Sequence, residues 1–288
     1  RSNNQDIFDA LAISANARPQ SYTNVVDVAI APDGQTFASL HYASNEDGDA
    51  RGYVVGIWDL NASILQTNFL GQTTPTGGAL AISPDGKLLA TPNRDQASIQ
   101  LWDIQTGQLR HSLRVAEDVI VEDVAFAPDG QIVAAAEAVI IWDSVTDDQP
   151  RILDFGRASA DCVAISPDGQ MLAMSNYSVG MNTVVILSDF QTGEELHRLR
   201  YPRYSQCDSL FFAPSGQTLV YTSTYMDSLN DEGLSIWNLQ TGDRFFYPQA
   251  TDPAAFSPDG QTFVMGKATI SQTGRISAST LSIHRAGL

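Results

Sequence analysis

The residues best suited to do chemistry are acidic, and they recur at one position of a repeated pattern. An apolar run returns at intervals along the chain, and in all but one copy Asp or Glu stands just before it; these residues are Asp27, Glu122, Asp123, Asp161, Asp208 and Asp252. If the runs converge, their carboxylates concentrate negative potential and attract a basic partner. The competing interpretation is a set of solvated carboxylates that bind nothing in particular.

A basic and aromatic segment offers further contacts for such a partner. It contains Arg200, Tyr201, Arg203 and Tyr204 around Pro202. Arg and aromatic side chains are common anchors in protein interfaces. We therefore group this segment with the acidic positions as a hypothetical partner-binding site.

Two acidic loops contain the oxygen donors that Ca²⁺ prefers. They span Asn45–Asp49 and Asp227–Gly233. Neither loop has the spacing of a known calcium-binding loop, which favours solvated loop tips. We predict no metal site and no cofactor.

The charge and the missing motifs restrict the classes of function. The net charge is −17, from 33 acidic and 16 basic residues, and such a surface repels a phosphate backbone. The sequence has no P-loop, no Gly-x-Gly-x-x-Gly opening a helix, no Gly-x-Ser-x-Gly elbow and no His-Glu-x-x-His. We predict no nucleic-acid binding and no catalytic residues.

The two cysteines, Cys162 and Cys207, have neither metal-ligand spacing nor the pattern of a disulfide framework. Both fall in apolar segments of neighbouring repeats. We interpret them as small buried core residues.

The element that must position these residues is a repeated tight turn between two apolar runs. Six copies centre on a Pro-Asp-Gly or Pro-Ser-Gly triplet, at intervals of roughly 40–50 residues; the copies begin at Ala31, Ser83, Ala127, Ser166, Ala213 and Ser257. Pro restricts φ, Asp bonds to nearby backbone and Gly tolerates positive φ. The pattern therefore predicts a turn between antiparallel strands in each copy.

A second marker ends the third apolar run of most copies and precedes another turn. It reads Trp58-Asp59, Trp102-Asp103, Trp142-Asp143 and Trp237-Asn238, while Ser188-Asp189 lacks the indole. A buried Trp supplies a large apolar area and needs one hydrogen-bond partner. We interpret these residues as a structural repeat motif.

With its two markers in constant order, the chain resembles the WD40-repeat family of β-propellers over about residues 20 to 285. The Gly-His dipeptide usual in that family is missing from every copy. The resemblance implies an all-β fold of four-stranded antiparallel blades and a domain that binds proteins or peptides.

The ends of the chain suggest how such a propeller would close. We expect a single domain over residues 1–288, with residues 1–22 as a closing strand and linker and six repeats from about 23 to 288. The run Asp6–Ser14 would supply the strand that the last repeat lacks, which removes an exposed edge. We predict six blades, with seven as the alternative.

Three functions are compatible with this reading. The favoured one is a non-catalytic scaffold that binds a protein or peptide. Binding would use the loops that differ in length among the repeats and the acidic positions at the mouth of the propeller's central channel, and these acidic positions favour a basic partner. The others are a metal-dependent hydrolase similar to propeller lactonases and a sensor or adaptor domain of a longer protein. Fold alone does not decide among them.

The sequence leads to expectations about location and assembly. No apolar run approaches the ~18 residues of a membrane-spanning helix, so we expect a soluble chain without membrane insertion. The chain begins with Arg1, which fits either a fragment or a processed product, and its compartment is cytoplasmic or reached by export. We favour a monomer.

Overall fold

A computed structural model describes most of the chain as antiparallel β-structure. The described residues are 22–44, 50–59, 64–71, 79–93, 96–116, 119–143, 149–155, 159–177, 183–200, 206–224, 233–248, 250–256, 260, 262–270 and 276–285. In these ranges no helix is long and apolar enough to cross a membrane. The chain divides into two compact units, Arg1–Ile152 and Leu153–Leu288.

The first three blades are four-stranded meanders in which consecutive strands pair. Blade 1 contains β1 (Tyr22–Ile30), β2 (Thr36–Ser44), β3 (Ala50–Asp59) and β4 (Ile64–Gly71). Blade 2 contains β5 (Ala81–Ile82), β6 (Leu88–Asn93), β7 (Ser98–Asp103) and β8 (Leu109–Arg114). Blade 3 contains β9 (Asp123–Phe126), β10 (Ile132–Ala135), β11 (Val139–Trp142) and β12 (Arg151–Leu153).

The remaining strands repeat this arrangement with one difference. Blade 4 contains β13 (Ser159–Ile165), β14 (Met171–Tyr177), β15 (Val184–Asp189) and β16 (Glu195–Arg200). Blade 5 contains β17 (Gln206–Phe212), β18 (Thr218–Thr224), β19 (Gly233–Asn238) and β20 (Arg244–Pro248). The C-terminal sheet has three strands, β21 (Ala250–Phe256), β22 (Thr262–Ile270) and β23 (Ile276–Arg285).

The blade type was predicted correctly, and the number of blades was not. The described residues form five four-stranded blades, so the prediction of six, with seven as the alternative, is wrong. Within the described ranges, the last repeat contributes a three-stranded sheet. The segment expected to complete that sheet, residues 6–14, lies outside the described residues, as does the rest of 1–21.

The Pro-Asp-Gly turns are tight because the Asp carboxylate closes them from within. In blade 4, Gly169 N donates to Ser166 O at 2.8 Å, and Asp168 Oδ1 accepts from Gln170 N at 3.0 Å. The Ser166 hydroxyl donates to Asp168 Oδ1 and also accepts from Met171 N at 2.8 Å. Gly169 has a φ of 71°, which favours glycine over any other residue.

The hydrophobic cores lie between neighbouring blades rather than inside a single sheet. Leu80 packs with Ala38, Leu40, Val55 and Ile57 of blade 1. Equivalent clusters join blades 2 and 3, blades 4 and 5, and blade 5 and the C-terminal sheet. In these four pairs, the innermost strand of the later sheet is therefore held by the blade before it as well as by its own sheet.

The two cysteines are buried as predicted, but they are also bonded to each other, which corrects our interpretation. Cys162 on β13 and Cys207 on β17 form a disulfide, and their Cα atoms are 6.1 Å apart. They are 5% and 8% exposed. Their separation of 45 residues is about one repeat, so the fold places them opposite each other on neighbouring innermost strands.

Candidate functional site

Four of the six predicted acidic residues lie where the innermost strands depart from regular pairing. The register of β1 against β2 shifts between Val25 and Asp27, and that of β17 against β18 shifts between Cys207 and Ser209. Comparable shifts enclose Asp161 on β13 and Asp252 on β21. A bulge redirects side chains and leaves backbone N–H groups out of the ladder. A carboxylate at a bulge can accept hydrogen bonds from such groups.

The carboxylate of Asp27 accepts hydrogen bonds from two backbone N–H groups. Its Oδ1 accepts from Val28 N at 2.7 Å, and its Oδ2 accepts from Leu80 N at 2.8 Å. Leu80 belongs to the next repeat, just before β5, so this carboxylate fastens the entry of blade 2 to blade 1. A partner that reached Asp27 would share a carboxylate already bonded through both oxygens.

Blade 3 contributes two acidic residues at the start of β9. Asp123 Oδ1 accepts from Val124 N at 2.8 Å, and Glu122 N donates to Ala135 O at 2.9 Å. Both side chains are half-buried. Asp123 and Asp27 each stand four residues before the first residue of the turn motif that follows, Ala127 and Ala31, and thus occupy equivalent places in the repeat.

The second unit contains the other three acidic residues. Asp161 is half-buried beside Cys162, and Asp208 is exposed beside Cys207. Because the disulfide holds the two cysteine Cα atoms 6.1 Å apart, the Cα atoms of Asp161 and Asp208 lie within about 14 Å of each other. The backbone of Asp252 is in β21, while its side chain is outside the described set.

The basic and aromatic segment is only partly described. Arg200 is exposed at the end of β16, which lies at the opposite edge of blade 4 from β13. Within blade 4, Arg200 is therefore separated from Asp161 by the width of the sheet. Tyr201, Arg203 and Tyr204 lie outside the described residues.

The acidic loops considered for Ca²⁺ are also mostly undescribed. Residues 45–49 and 227–232 fall outside the described ranges. Among the residues that the structure describes, no three His, Cys, Asp or Glu side chains form a group suited to a metal ion.

In blade 2, the Asp of the Trp-Asp pair caps the turn that follows it. Asp103 Oδ1 accepts from Thr106 N at 2.8 Å and from Thr106 Oγ1 at 2.9 Å. Arg110 donates to Asp103 Oδ2 at 2.8 Å, and these bonds, with Arg110 the largest cause, lower the pKa of Asp103 to about 2. Asp189 makes the same bonds to Thr192, although Ser188 replaces the tryptophan before it. In blade 3, Asp143 Oδ1 accepts instead from Gln131 Nε2 at 2.6 Å.

A buried polar network around Trp58 was missed by the sequence reasoning. Trp58 Nε1 donates to Ser39 Oγ at 2.6 Å, and Ser39 Oγ lies 2.7 Å from His41 Nε2. In blade 2, Trp102 Nε1 donates to Thr91 Oγ1 at 3.0 Å. In both blades, a Ser or Thr stands two positions after the residue that pairs with the Trp on the neighbouring strand. This spacing was the signal for the network in the sequence.

Burial affects the protonation of this network. His41 is 3% exposed, and desolvation lowers the pKa of its imidazole. The Trp58 indole occupies a lone pair of Ser39 Oγ, and the hydroxyl proton of Ser39 is then available to a neutral His41 Nε2. The network accommodates the neutral imidazole, which is the form that burial favours.

Several known proteins are similar in sequence to parts of this chain. Small ribosomal subunit protein RACK1y of Oryza sativa subsp. japonica is 29% identical over 145 residues, which cover 47% of this chain and 42% of the relative. WD repeat and SOCS box-containing protein 1 of Danio rerio is 34% identical over 110 residues, covering 36% and 25%. Apoptotic protease-activating factor 1 of Mus musculus is 21% identical over 194 residues, covering 67% and 14%. The chain thus spans less than half the length of these curated relatives.

The fold is also found in a solved structure. Kuenenia stuttgartiensis Hydrazine Synthase aligns with a TM-score of 0.69 at 19% identity, over 88% of this chain and 76% of that one. At this identity the likeness concerns the fold alone. No protein-family model matches the chain. The relatives are WD-repeat proteins and the chain folds as a β-propeller of four-stranded blades, which together are consistent with the WD40-repeat family.

Proposed function

We propose that this chain is a non-catalytic scaffold that binds a protein or peptide. The observation that carries the proposal is its similarity to WD-repeat proteins on a propeller of repeated blades. Within each blade the paired strands hold the loops between them in place, which suits recognition without chemistry.

The finer proposal is that the partner is basic and that it binds at the acidic positions of the innermost strands. Asp or Glu stands at this position in every repeat but one, and the described side chains there are half-buried or exposed. The net charge of −17 favours encounter with a basic segment over an acidic one. The bonds of Asp27 support a structural role for at least one of these residues, so the test leaves Asp27 unchanged.

The test compares affinity capture by three proteins from native lysate. The first is wild type, the second carries Asp161→Asn, Asp208→Asn and Asp252→Asn, and the third carries Asp143→Asn, Glu194→Gln and Asp243→Asn. The third set removes the same charge from exposed residues around the turns between third and fourth strands. Wild type and the third protein should retain the same basic partner, whereas the second should lose it by at least about tenfold in affinity.

Two results would contradict the proposal. Equal capture by all three proteins would show that the acidic positions do not bind the partner. A stoichiometric metal ion, measured in the same preparations and lost only from the second protein, would instead support the metal-dependent hydrolase.

A further inference from the structure

The Cys162–Cys207 disulfide joins two neighbouring blades at their innermost strands. Cys162 lies on β13 of blade 4, and Cys207 lies on β17 of blade 5. Both belong to the cluster that contains Leu210, Tyr221 and Trp237, so the bond crosses the core between these blades. No free cysteine remains.

Both cysteines lie at irregular points of their strands. The register of β13 against β14 shifts between Ala160 and Val163, and Cys162 N donates to Ser175 Oγ at 3.0 Å. The register of β17 shifts directly after Cys207. Ladder pairing is therefore interrupted beside both cysteines, and the disulfide joins the two strands at these interruptions.

We propose that this disulfide is a permanent structural link between blades 4 and 5, and that the chain matures in an oxidising compartment. The two thiols lose two protons and two electrons as the S–S bond forms. A disulfide of a thiol oxidoreductase accepts them by exchange and leaves as two thiols. Such bonds persist in oxidising compartments, whereas thioredoxin and glutathione keep cytosolic thiols reduced.

Burial argues for a permanent link rather than a switch. Thiol–disulfide exchange requires a thiolate to reach one of the sulfur atoms, and residues only 5% and 8% exposed restrict that approach in the folded chain. Redox-sensing cysteines are typically accessible. Reduction of this bond therefore requires that the interface between the two blades opens.

The first experiment determines the state of the cysteines in the protein as its own cells make it. Intact cells are treated with N-ethylmaleimide before lysis, and the captured protein is then reduced and labelled with a heavy form of the same reagent. We expect the heavy label on both Cys162 and Cys207, together with a linked peptide pair in an unreduced digest. The light label on both residues would overturn the proposal.

The second experiment measures what the link contributes to stability. Wild type is unfolded and refolded with or without phosphine reductant, beside a variant with Cys162→Ala and Cys207→Ala. We expect reduction to lower the melting temperature of wild type by about 4–10 °C, because it releases a loop of 45 residues in the unfolded chain. The double variant should melt at the lower temperature with or without reductant. Equal melting temperatures of oxidised and reduced wild type would overturn the structural role. If the reduced chain fails to refold, the linked peptide pair of the first experiment still tests whether the disulfide forms in the cell.

Discussion

The indole N–H of a buried tryptophan needs an acceptor, and the first two blades supply one in the same way. Ser39 and Thr91 each lie two residues beyond the residue that pairs with the tryptophan, and each accepts its N–H. The surroundings differ, because Trp58 is buried and Trp102 is half-buried. The same bond should therefore be worth more in blade 1 than in blade 2, since a buried donor without a partner loses its solvation as well.

A matched pair of substitutions tests this difference. Ser39→Ala should lower the free energy of unfolding by about 1–3 kcal/mol, because the Trp58 N–H then loses this acceptor inside the core. Thr91→Val removes the corresponding bond at nearly constant volume and should cost about 1 kcal/mol or less, since water can approach Trp102. Urea denaturation of both variants measures the two costs. Equal costs would show that burial of the indole does not set the value of the bond.

His41 makes blade 1 sensitive to acid. Burial lowers the pKa of His41 below the 6.5 of the unfolded chain, so in the intervening pH range the unfolded state binds more protons than the folded state. Stability should therefore fall as the pH drops from about 7 through that range, by at most about 1.4 kcal/mol per pH unit for one group. His41→Gln should reduce this dependence. Melting temperatures of both proteins between pH 7.5 and 5.5 provide the measurement, and parallel curves would contradict the assignment to His41.

Elements whose bonds are local were the ones that the sequence predicted well. The Pro-Asp-Gly turns and the turns after Trp-Asp are closed by residues within five positions of each other, so a short motif contains all the chemistry they need. The bulges were not predicted, because they depend on how many residues each of two strands contributes between pairing points. The acidic positions were found as a pattern, but the bond from Leu80 N to Asp27 joins residues 53 positions apart and could not be read from it.

Asp27 connects two elements, and removing its carboxylate should loosen the second. Asp27→Ala deprives Leu80 N of its acceptor at the entry to β5, which is only two residues long. The amide of Leu80 should then exchange with solvent at least about tenfold faster, equivalent to about 1.4 kcal/mol in local opening. Asp27→Asn keeps one acceptor oxygen and should show a smaller effect. Amide exchange followed by NMR makes the comparison, and unchanged protection in the Ala variant would show that the bond does not hold β5.

On the scale of the whole molecule, repetition was more predictable than the contacts between repeats. The sequence markers correctly indicated antiparallel blades, since each repeat contains its own turns. The Cys162–Cys207 bond was missed because it depends on the relative position of two repeats, whereas each cysteine alone resembles a small core residue. The blade count was wrong because it assumed that an N-terminal strand would complete the last repeat and close the propeller. Closure of the propeller is not encoded in any single repeat.

The whole molecule also carries a large net charge, and its stability should respond to salt. With 33 acidic and 16 basic residues, repulsion exceeds attraction at neutral pH. The ion pairs between described residues, such as Arg110–Asp103 and Arg198–Glu195, are at least partly exposed and contribute little individually. Raising NaCl from 10 to 200 mM shortens the screening length from about 30 Å to below 10 Å. The melting temperature should consequently rise by roughly 2–4 °C, which corresponds to about 1 kcal/mol.

The variant with Asp143→Asn, Glu194→Gln and Asp243→Asn is the control for this effect, because it lowers the charge away from the acidic positions. Its melting temperature should start higher at low salt and rise less. A fall with added NaCl would mean that attractive ion pairs dominate. CaCl₂ at matched ionic strength separates charge screening from cation binding. A cation that binds the folded state raises its stability with the logarithm of the ratio of cation concentration to Kd. Equal effects of the two salts would attribute the stabilisation to screening, and a larger effect of CaCl₂ would mean that the carboxylates hold a cation.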